Sequence, residues 1–151
     1  VQTAAWGIAT DSFVPADYDG DNKTDIAVWR PVGTGQPSGN AFFYILQSSN
    51  NTVRVEDFGQ TGDNPRIVGD YDGDGKNDFV VQRSAGGGQG LFWFLQSTAG
   101  IKSEIFGTPT DVIVAGDYDA DGKTDLAIVR PVSGALQWWH RRSSDGATVG
   151  A

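Results

Sequence analysis

One acidic nonapeptide occurs three times in the chain, each time between two apolar runs. The copies are Asp17-Tyr18-Asp19-Gly20-Asp21-Asn22-Lys23-Thr24-Asp25, Asp70-Tyr71-Asp72-Gly73-Asp74-Gly75-Lys76-Asn77-Asp78 and Asp117-Tyr118-Asp119-Ala120-Asp121-Gly122-Lys123-Thr124-Asp125. Four carboxylates within nine residues repel one another unless a hard cation sits among them. Any fold for this chain must therefore supply a turn that gathers carboxylates. It must also supply a structural unit that can be repeated.

The loops account for most of the acidity. They hold 12 of the 19 acidic residues, and the formal net charge is -8. Three bound divalent ions, adding +6, would bring the balance to -2. No basic stripe is present to neutralise phosphates, so nucleic acid is excluded as a partner. The chain has no Cys and no Met, which rules out disulfides and thiolate chemistry. No apolar stretch approaches the ~20 residues of a membrane helix, so membrane insertion is not expected. Calcium is plentiful outside cells, where modules with a Kd of about 10⁻⁴–10⁻³ M function. That favours an extracellular or cell-surface protein.

The loops begin 53 and 47 residues apart, a period that points to propeller blades or related arrays. Each loop is followed by a strand-like run: Ile26-Ala27-Val28-Trp29-Arg30, Phe79-Val80-Val81-Gln82-Arg83 or Leu126-Ala127-Ile128-Val129-Arg130. Aromatic runs come next, at Phe42–Leu46, Leu91–Leu95 and Leu136–Trp139. The first two repeats continue through a polar turn to Val53–Phe58 and Ile101–Phe106, each ending in Phe-Gly. Short apolar runs, Ile67-Val68-Gly69 and Val112–Gly116, lead into the next loops. All of these segments are short, rich in β-branched and aromatic residues, and bounded by turn residues. They predict an all-β fold of four-stranded units, A to D, with the acidic loop between strands A and B.

These features resemble the FG-GAP/VCBS repeat family, the calcium-binding blades also found in integrin α-subunit propellers. The matching residues are the Asp-Tyr-Asp-Gly-Asp-Gly-Lys-type loops, Phe58-Gly59, Phe106-Gly107, Arg30-Pro31 and Arg130-Pro131. The resemblance implies propeller-like blades with calcium in each A–B loop. It does not imply a single function, because such repeats serve adhesive, lectin-like and purely structural roles.

In such a loop, side chains at positions 1, 3, 5 and 9 and the carbonyl at position 7 can converge on one ion, with water completing 6–8 oxygens. Three calcium sites are therefore expected. Their ligands are Asp17, Asp19, Asp21, Asp25 and the Lys23 carbonyl; Asp70, Asp72, Asp74, Asp78 and the Lys76 carbonyl; and Asp117, Asp119, Asp121, Asp125 and the Lys123 carbonyl. Position 6 needs a sharp turn, which Gly75 and Gly122 permit and Asn22 tolerates. An EF-hand would require Glu at position 12. Val28, Val81 and Ile128 stand there instead. A solvated acidic turn without metal is the plain alternative, weakened by the threefold recurrence.

His140 is the only histidine, and no oriented base or nucleophile accompanies it, so catalysis is not expected. Arg30, Arg83 and Arg130 recur at one repeat position, suited to capping carbonyls or pairing with a carboxylate. Of the adjacent Trp138 and Trp139, one should face inward and one outward. An outward Trp is suited to stacking on a glycan, although packing between blades explains such aromatics more simply. Asn50-Asn51-Thr52 is a glycosylation sequon in a turn, and Asn22-Lys23-Thr24 is another within a loop.

The repeat frame gives one domain over 1–151. Residues 1–7 form an orphan outer strand, followed by blade 1 (8–59), blade 2 (60–107) and blade 3 (108–151). The third blade is expected to lack its outer strand. The segment Val1-Gln2-Thr3-Ala4-Ala5-Trp6-Gly7 aligns with Val53–Gly59 and Ile101–Gly107. The last blade is therefore expected to be completed by an N-terminal strand, Val1 to Trp6, donated by a neighbouring copy. This predicts a homo-oligomer, either a ring or a filament. The functional expectation is a non-enzymatic extracellular structural module that binds calcium and self-assembles head to tail. The alternative is a fragment of a larger propeller acting as an adhesive or carbohydrate-binding module.

Overall fold

The computed structural model describes residues 3–32 and 39–151. Eleven strands run through them: β1 (Ser12–Phe13), β2 (Ile26–Pro31), β3 (Asn40–Leu46), β4 (Val53–Gln60), β5 (Phe79–Gly86), β6 (Gln89–Gln96), β7 (Gly100–Ile105), β8 (Val112–Ile113), β9 (Leu126–Val132), β10 (Ala135–Arg141) and β11 (Thr148–Gly150). The described residues contain no helix. The strands form three antiparallel sheets with orders β1-β2-β3-β4, β5-β6-β7 and β8-β9-β10-β11. Each is an antiparallel meander in chain order. The all-β expectation holds, and each acidic loop lies directly before the strand that follows it in the frame.

The middle sheet lacks an assigned first strand for a local reason. Asn64 pairs with Gln82 through a single bridge, matching the Ser12–Trp29 and Val112–Val129 pairs of the other sheets. In those sheets the ladder continues, with Val14 N–H donating to Ala27 and Val114 N–H to Ala127. In the middle sheet the Arg66 N–H instead donates to the Asn64 side chain, and the Ile67 N–H to the Pro65 carbonyl. Asn-Pro is a turn-initiating pair. It diverts the amide that would have extended the ladder.

Alternation along β3 and β6 builds much of the core. In β3, Ala41, Phe43 and Ile45 are fully buried on one face. In β6, Phe92 and Phe94 are likewise fully buried. One apolar cluster joins Phe43 and Trp29 of the first sheet to Phe79 and Val81 of the second. Another joins Phe92 and Phe94 of the second sheet to Leu126 and Ile128 of the third. The middle sheet is thus packed on both faces, and stability comes mainly from sheet-to-sheet burial.

Two expectations about the ends are corrected. The third sheet does not lack an outer strand, because β11 pairs with β10 over Trp139–Arg141. Trp138 and Ala151 extend the pairing by exchanging backbone bonds. The N-terminal segment is not a strand over Thr3, Ala4, Ala5 and Trp6; Val1 and Gln2 lie outside the described residues. Alanine is depleted in strands. The Trp6 indole N–H donates to the Tyr44 carbonyl, and Gly7 turns the chain at φ 82°. The edge beside β10, where the N-terminal strand was expected, is taken by β11 of the same chain.

Candidate metal centres

Each acidic loop folds around its first and last carboxylates. Asp17 accepts the N–H groups of Gly20 and Asn22, and Asp70 accepts those of Gly73 and Gly75. Asp117 accepts from Asp121 and Gly122. The last residue is buried in every copy: Asp25, Asp78 and Asp125 are at most 1 % exposed. Each takes two backbone N–H donors, one from the loop Tyr and one from a serine in the turn after the third strand. The pairs are Tyr18 and Ser48, Tyr71 and Ser97, and Tyr118 and Ser143.

This arrangement brings positions 1, 3 and 9 together. In the sets Asp17, Asp19, Asp25; Asp70, Asp72, Asp78; and Asp117, Asp119, Asp125, one carboxylate oxygen from each residue lies within 4.8 Å of the others. At an effective dielectric of about 20, unit charges at that distance repel by about 3 kcal/mol per pair. The Oδ1 atoms of Asp72 and Asp119 are buried with no hydrogen-bond partner. An orphaned carboxylate oxygen among like charges calls for a cation, and an all-oxygen donor set suits calcium. The residues present therefore fit the ion.

Position 5 is placed differently from positions 1, 3 and 9. Asp21, Asp74 and Asp121 lie outside the close triads. Each accepts the N–H of the following Lys (Lys23, Lys76 or Lys123) and a serine hydroxyl (Ser48, Ser97 or Ser143). Position 3 is tied to the same turn, Asp19 by Ser49, Asp72 by Thr98 and Asp119 by Ser144. These hydroxyl pairs were not singled out from the sequence. Their signal was a Ser-Ser or Ser-Thr step at the same place in every repeat.

Electrostatics differ within a triad. Burial pushes Asp78 up to about 6, helped by the neighbouring charges of Asp72 and Asp70 and opposed by the Ser97 and Tyr71 N–H groups. Burial also raises Asp72, but the Thr98 hydroxyl and the N–H groups of Thr98, Ala99 and Asp74 outweigh it and hold it below the ordinary value. The Ser49 hydroxyl leads in lowering Asp19.

The loops need positive φ at two places. Position 6 behaves as expected, with Asn22 at 64°, Gly75 at 87° and Gly122 at 86°. Position 4 has the same requirement, with Gly20 and Gly73 both at 81° and Ala120 at 60°. Strain therefore falls on the third loop at Ala120, where the sequence had drawn attention to Asn22. An L-residue in this region costs roughly 1–2 kcal/mol, part of which glycine's extra unfolded-state entropy offsets. Ala120→Gly is expected to raise stability by about 0.5–1 kcal/mol in chemical denaturation; no gain, or a loss, would show that the loop bears no such strain.

Successive loops are bonded to each other. The Asn77 N–H donates to the Asp17 carbonyl at 2.7 Å, and the Thr124 N–H to the Asp70 carbonyl at 2.6 Å. The Lys76 side chain lies against Gly20 and that of Lys123 against Gly73.

The recurrent arginines pair with carboxylates. Arg30 grips Asp11 through two bonds of 2.7 Å, and Arg130 grips Asp111 through two of 2.6 Å. Arg83 holds Asp63 through one bond, leaving Arg83 Nε and Asp63 Oδ1 without partners. The carboxylates sit four residues after Gly7, Gly59 and Gly107, each at positive φ. At Gly107 an added Cβ would come within 2.5 Å of Asp111 and Ile128. This accounts for the glycine of the Phe-Gly pair.

The remaining candidates are also placed. Trp138 is 42 % exposed, while Trp139 is half-buried against the second cluster with Arg130 over its ring. That is the expected split between faces. His140 stacks on Tyr118. Asn50 is exposed, its side chain accepting from Thr52.

The fold and its loops define an all-β repeat protein with a triad of Asp carboxylates in each repeat that could hold a metal ion. Residues 70–128 match the family model described as FG-GAP-like repeat. That stretch runs from the second acidic loop to Ile128 in β9, and the match is consistent with a repeat of the FG-GAP/VCBS type. No curated protein and no solved structure matches the chain.

Proposed function

We propose that the chain is a non-enzymatic structural module of three propeller-like blades, each braced by calcium in its A–B loop. It works outside the cell or at its surface and assembles head to tail with further copies into a ring or filament. The observation that carries the reading is the recurrence of one triad three times, each with a buried carboxylate at its last position. The ions act as staples. Each neutralises loop carboxylates that are themselves tied to the turn after β3, β6 or β10, and so pins together the two connections at one end of a sheet. Extracellular calcium levels suit exposed loops of this type.

Titration calorimetry should find three calcium ions per chain, and an absence of binding at several millimolar calcium would sink the calcium reading. Electron microscopy with and without a chelator reads assembly separately. Rings or fibres support it, and isolated small particles at high concentration count against it.

The exposed Trp138 favours a second reading, an adhesive or carbohydrate-binding segment of a larger propeller. A glycan array would support it if binding disappears in Trp138→Ala, and a silent array would remove it.

A further inference from the structure

The exposed face of the third sheet repeats, position by position, faces that are buried elsewhere in the chain. Trp138 stands opposite Val129, as Phe43 stands opposite Trp29 and Phe92 opposite Gln82. Phe43 and Phe92 are 0 % exposed, whereas Trp138 is 42 % exposed. Leu136, at the register of the fully buried Ala41, is 63 % exposed. The loop tyrosines follow the same rule: Tyr18 is 1 % exposed and Tyr71 6 %, but Tyr118 is 45 %.

The covering partner of each buried face is known, because the chain makes this interface twice with itself. Tyr18 stacks on Phe79 at the start of β5, with ring centroids 4.9 Å apart. Tyr71 shares a cluster with Leu126 at the start of β9. Ile26 holds the same position at the start of β2 and is 46 % exposed. Tyr118 and Ile26 are thus the two open halves of a contact made twice within the chain. The backbone repeats the pattern: the Asn77–Asp17 and Thr124–Asp70 bonds have Thr24 and Asp117 as the halves of a third.

We propose that the β10 face bearing Leu136 and Trp138, together with Tyr118, docks the first sheet of a second copy of this chain, led by Ile26. The proposal rests on the head-to-tail reading and replaces strand exchange with face-to-face sheet stacking as its basis. The occupant is a second copy because the first sheet presents, at Ile26 and Thr24, the residues that complete this interface inside the chain. Joining unlike faces is heterologous, so it closes into a ring or runs on as a filament. The joint between chains differs from the internal ones at one point. A Cβ added at Gly20 would meet the Lys76 side chain at 3.1 Å, and one at Gly73 would meet Lys123 at 3.1 Å. Ala120 carries that Cβ, so an incoming Lys23 must shift slightly.

Sedimentation velocity in calcium tests the pairing with two single variants, Trp138→Glu and Ile26→Asp. Both positions are exposed, and a calcium-dependent thermal transition verifies folding. The intact chain should form concentration-dependent oligomers, and each variant alone should lose association at least a hundredfold. An equimolar mixture should give a one-to-one dimer and nothing larger, because each variant keeps one working face. Oligomers that persist in both variants overturn the interface while sparing the assembly reading. A mixture that stays monomeric overturns the pairing of these two faces. An intact chain that is monomeric at all concentrations overturns both this proposal and the assembly reading.

Discussion

Calcium is expected to raise the thermal midpoint of the chain by well over 10 °C, and a chelator to reverse the rise. A ligand that binds only the folded state stabilises it by about 2.7 kcal/mol when its concentration is 100 times its Kd. Three independent sites of the type formed by Asp70, Asp72 and Asp78 would then add about 8 kcal/mol. For a domain near 150 residues, each kcal/mol moves the midpoint by about 2–4 °C. Differential scanning calorimetry at pH 7.5 checks this directly, and a midpoint indifferent to calcium would mean that the triads are not metal sites.

The pH dependence adds a second signature. Asp78 has a folded value raised to about 6, so the metal-free folded state holds a proton more tightly than the unfolded state does. The associated stability is fully present below the ordinary carboxylate value and is lost as pH rises through about 6. Without calcium, Asp78 therefore favours greater stability at pH 5 than at pH 7.5, whereas the calcium-dependent gain shrinks over the same descent. Asp11 and Asp111 have the opposite sign. The Arg30 guanidinium holds Asp11 low, and at Asp111 burial is outweighed by Arg130 and the Thr108 groups. Their stability is present above the ordinary carboxylate value and is lost only as pH falls towards their lowered ones. Scans between pH 5 and 7.5 thus read Asp78 with little interference from them.

Local, periodic features were legible in the sequence, and nonlocal completions were not. The loop copies set the frame, and the aromatic runs Phe42–Leu46 and Leu91–Leu95 marked strands. Every residue in those runs is apolar or aromatic, so the buried face shows only in the alternating burial of β3 and β6. The recurrent arginines pointed to a structural role, capping carbonyls or pairing with a carboxylate, and the structure shows the second. The identity of the carboxylate, Asp11, Asp63 or Asp111, depended on a contact 19 or 20 residues away. The serine hydroxyls on Asp21 and Asp74 are more distant still, 27 and 23 residues away. No short-range pattern encodes such pairings.

The misreading at the ends has the same origin. Trp6-Gly7 does match Phe58-Gly59, and Gly7 shares its positive φ. However, a shared terminal pair does not make the preceding residues a strand. Strand identity is decided by an available edge, and Thr148–Gly150 had already taken it. The shortened start of the second repeat was a simpler omission, because Asn64-Pro65 announces its turn locally.

Replacing Asp78 with alanine is expected to be the most damaging loss of a carboxylate from the second loop, and to be damaging even without calcium. Asp78 is 1 % exposed and accepts the N–H of Tyr71 at 2.8 Å and of Ser97 at 2.9 Å. Removing it strands two amides, and each buried unsatisfied donor costs about 1–3 kcal/mol. Relief of repulsion from Asp70 and Asp72 offsets part of that loss. The net cost in chelator should be about 2–4 kcal/mol, with the second site's calcium stabilisation lost in addition. Asp74→Ala separates the two roles, because Asp74 bonds only the exposed Lys76 N–H and the Ser97 hydroxyl. Its cost in chelator should stay near 1 kcal/mol. Urea denaturation of both variants, with and without calcium, makes the comparison. Equal losses for Asp74 and Asp78 in chelator would show that the buried carboxylate is not the structural pin of the loop, leaving metal binding as its only role.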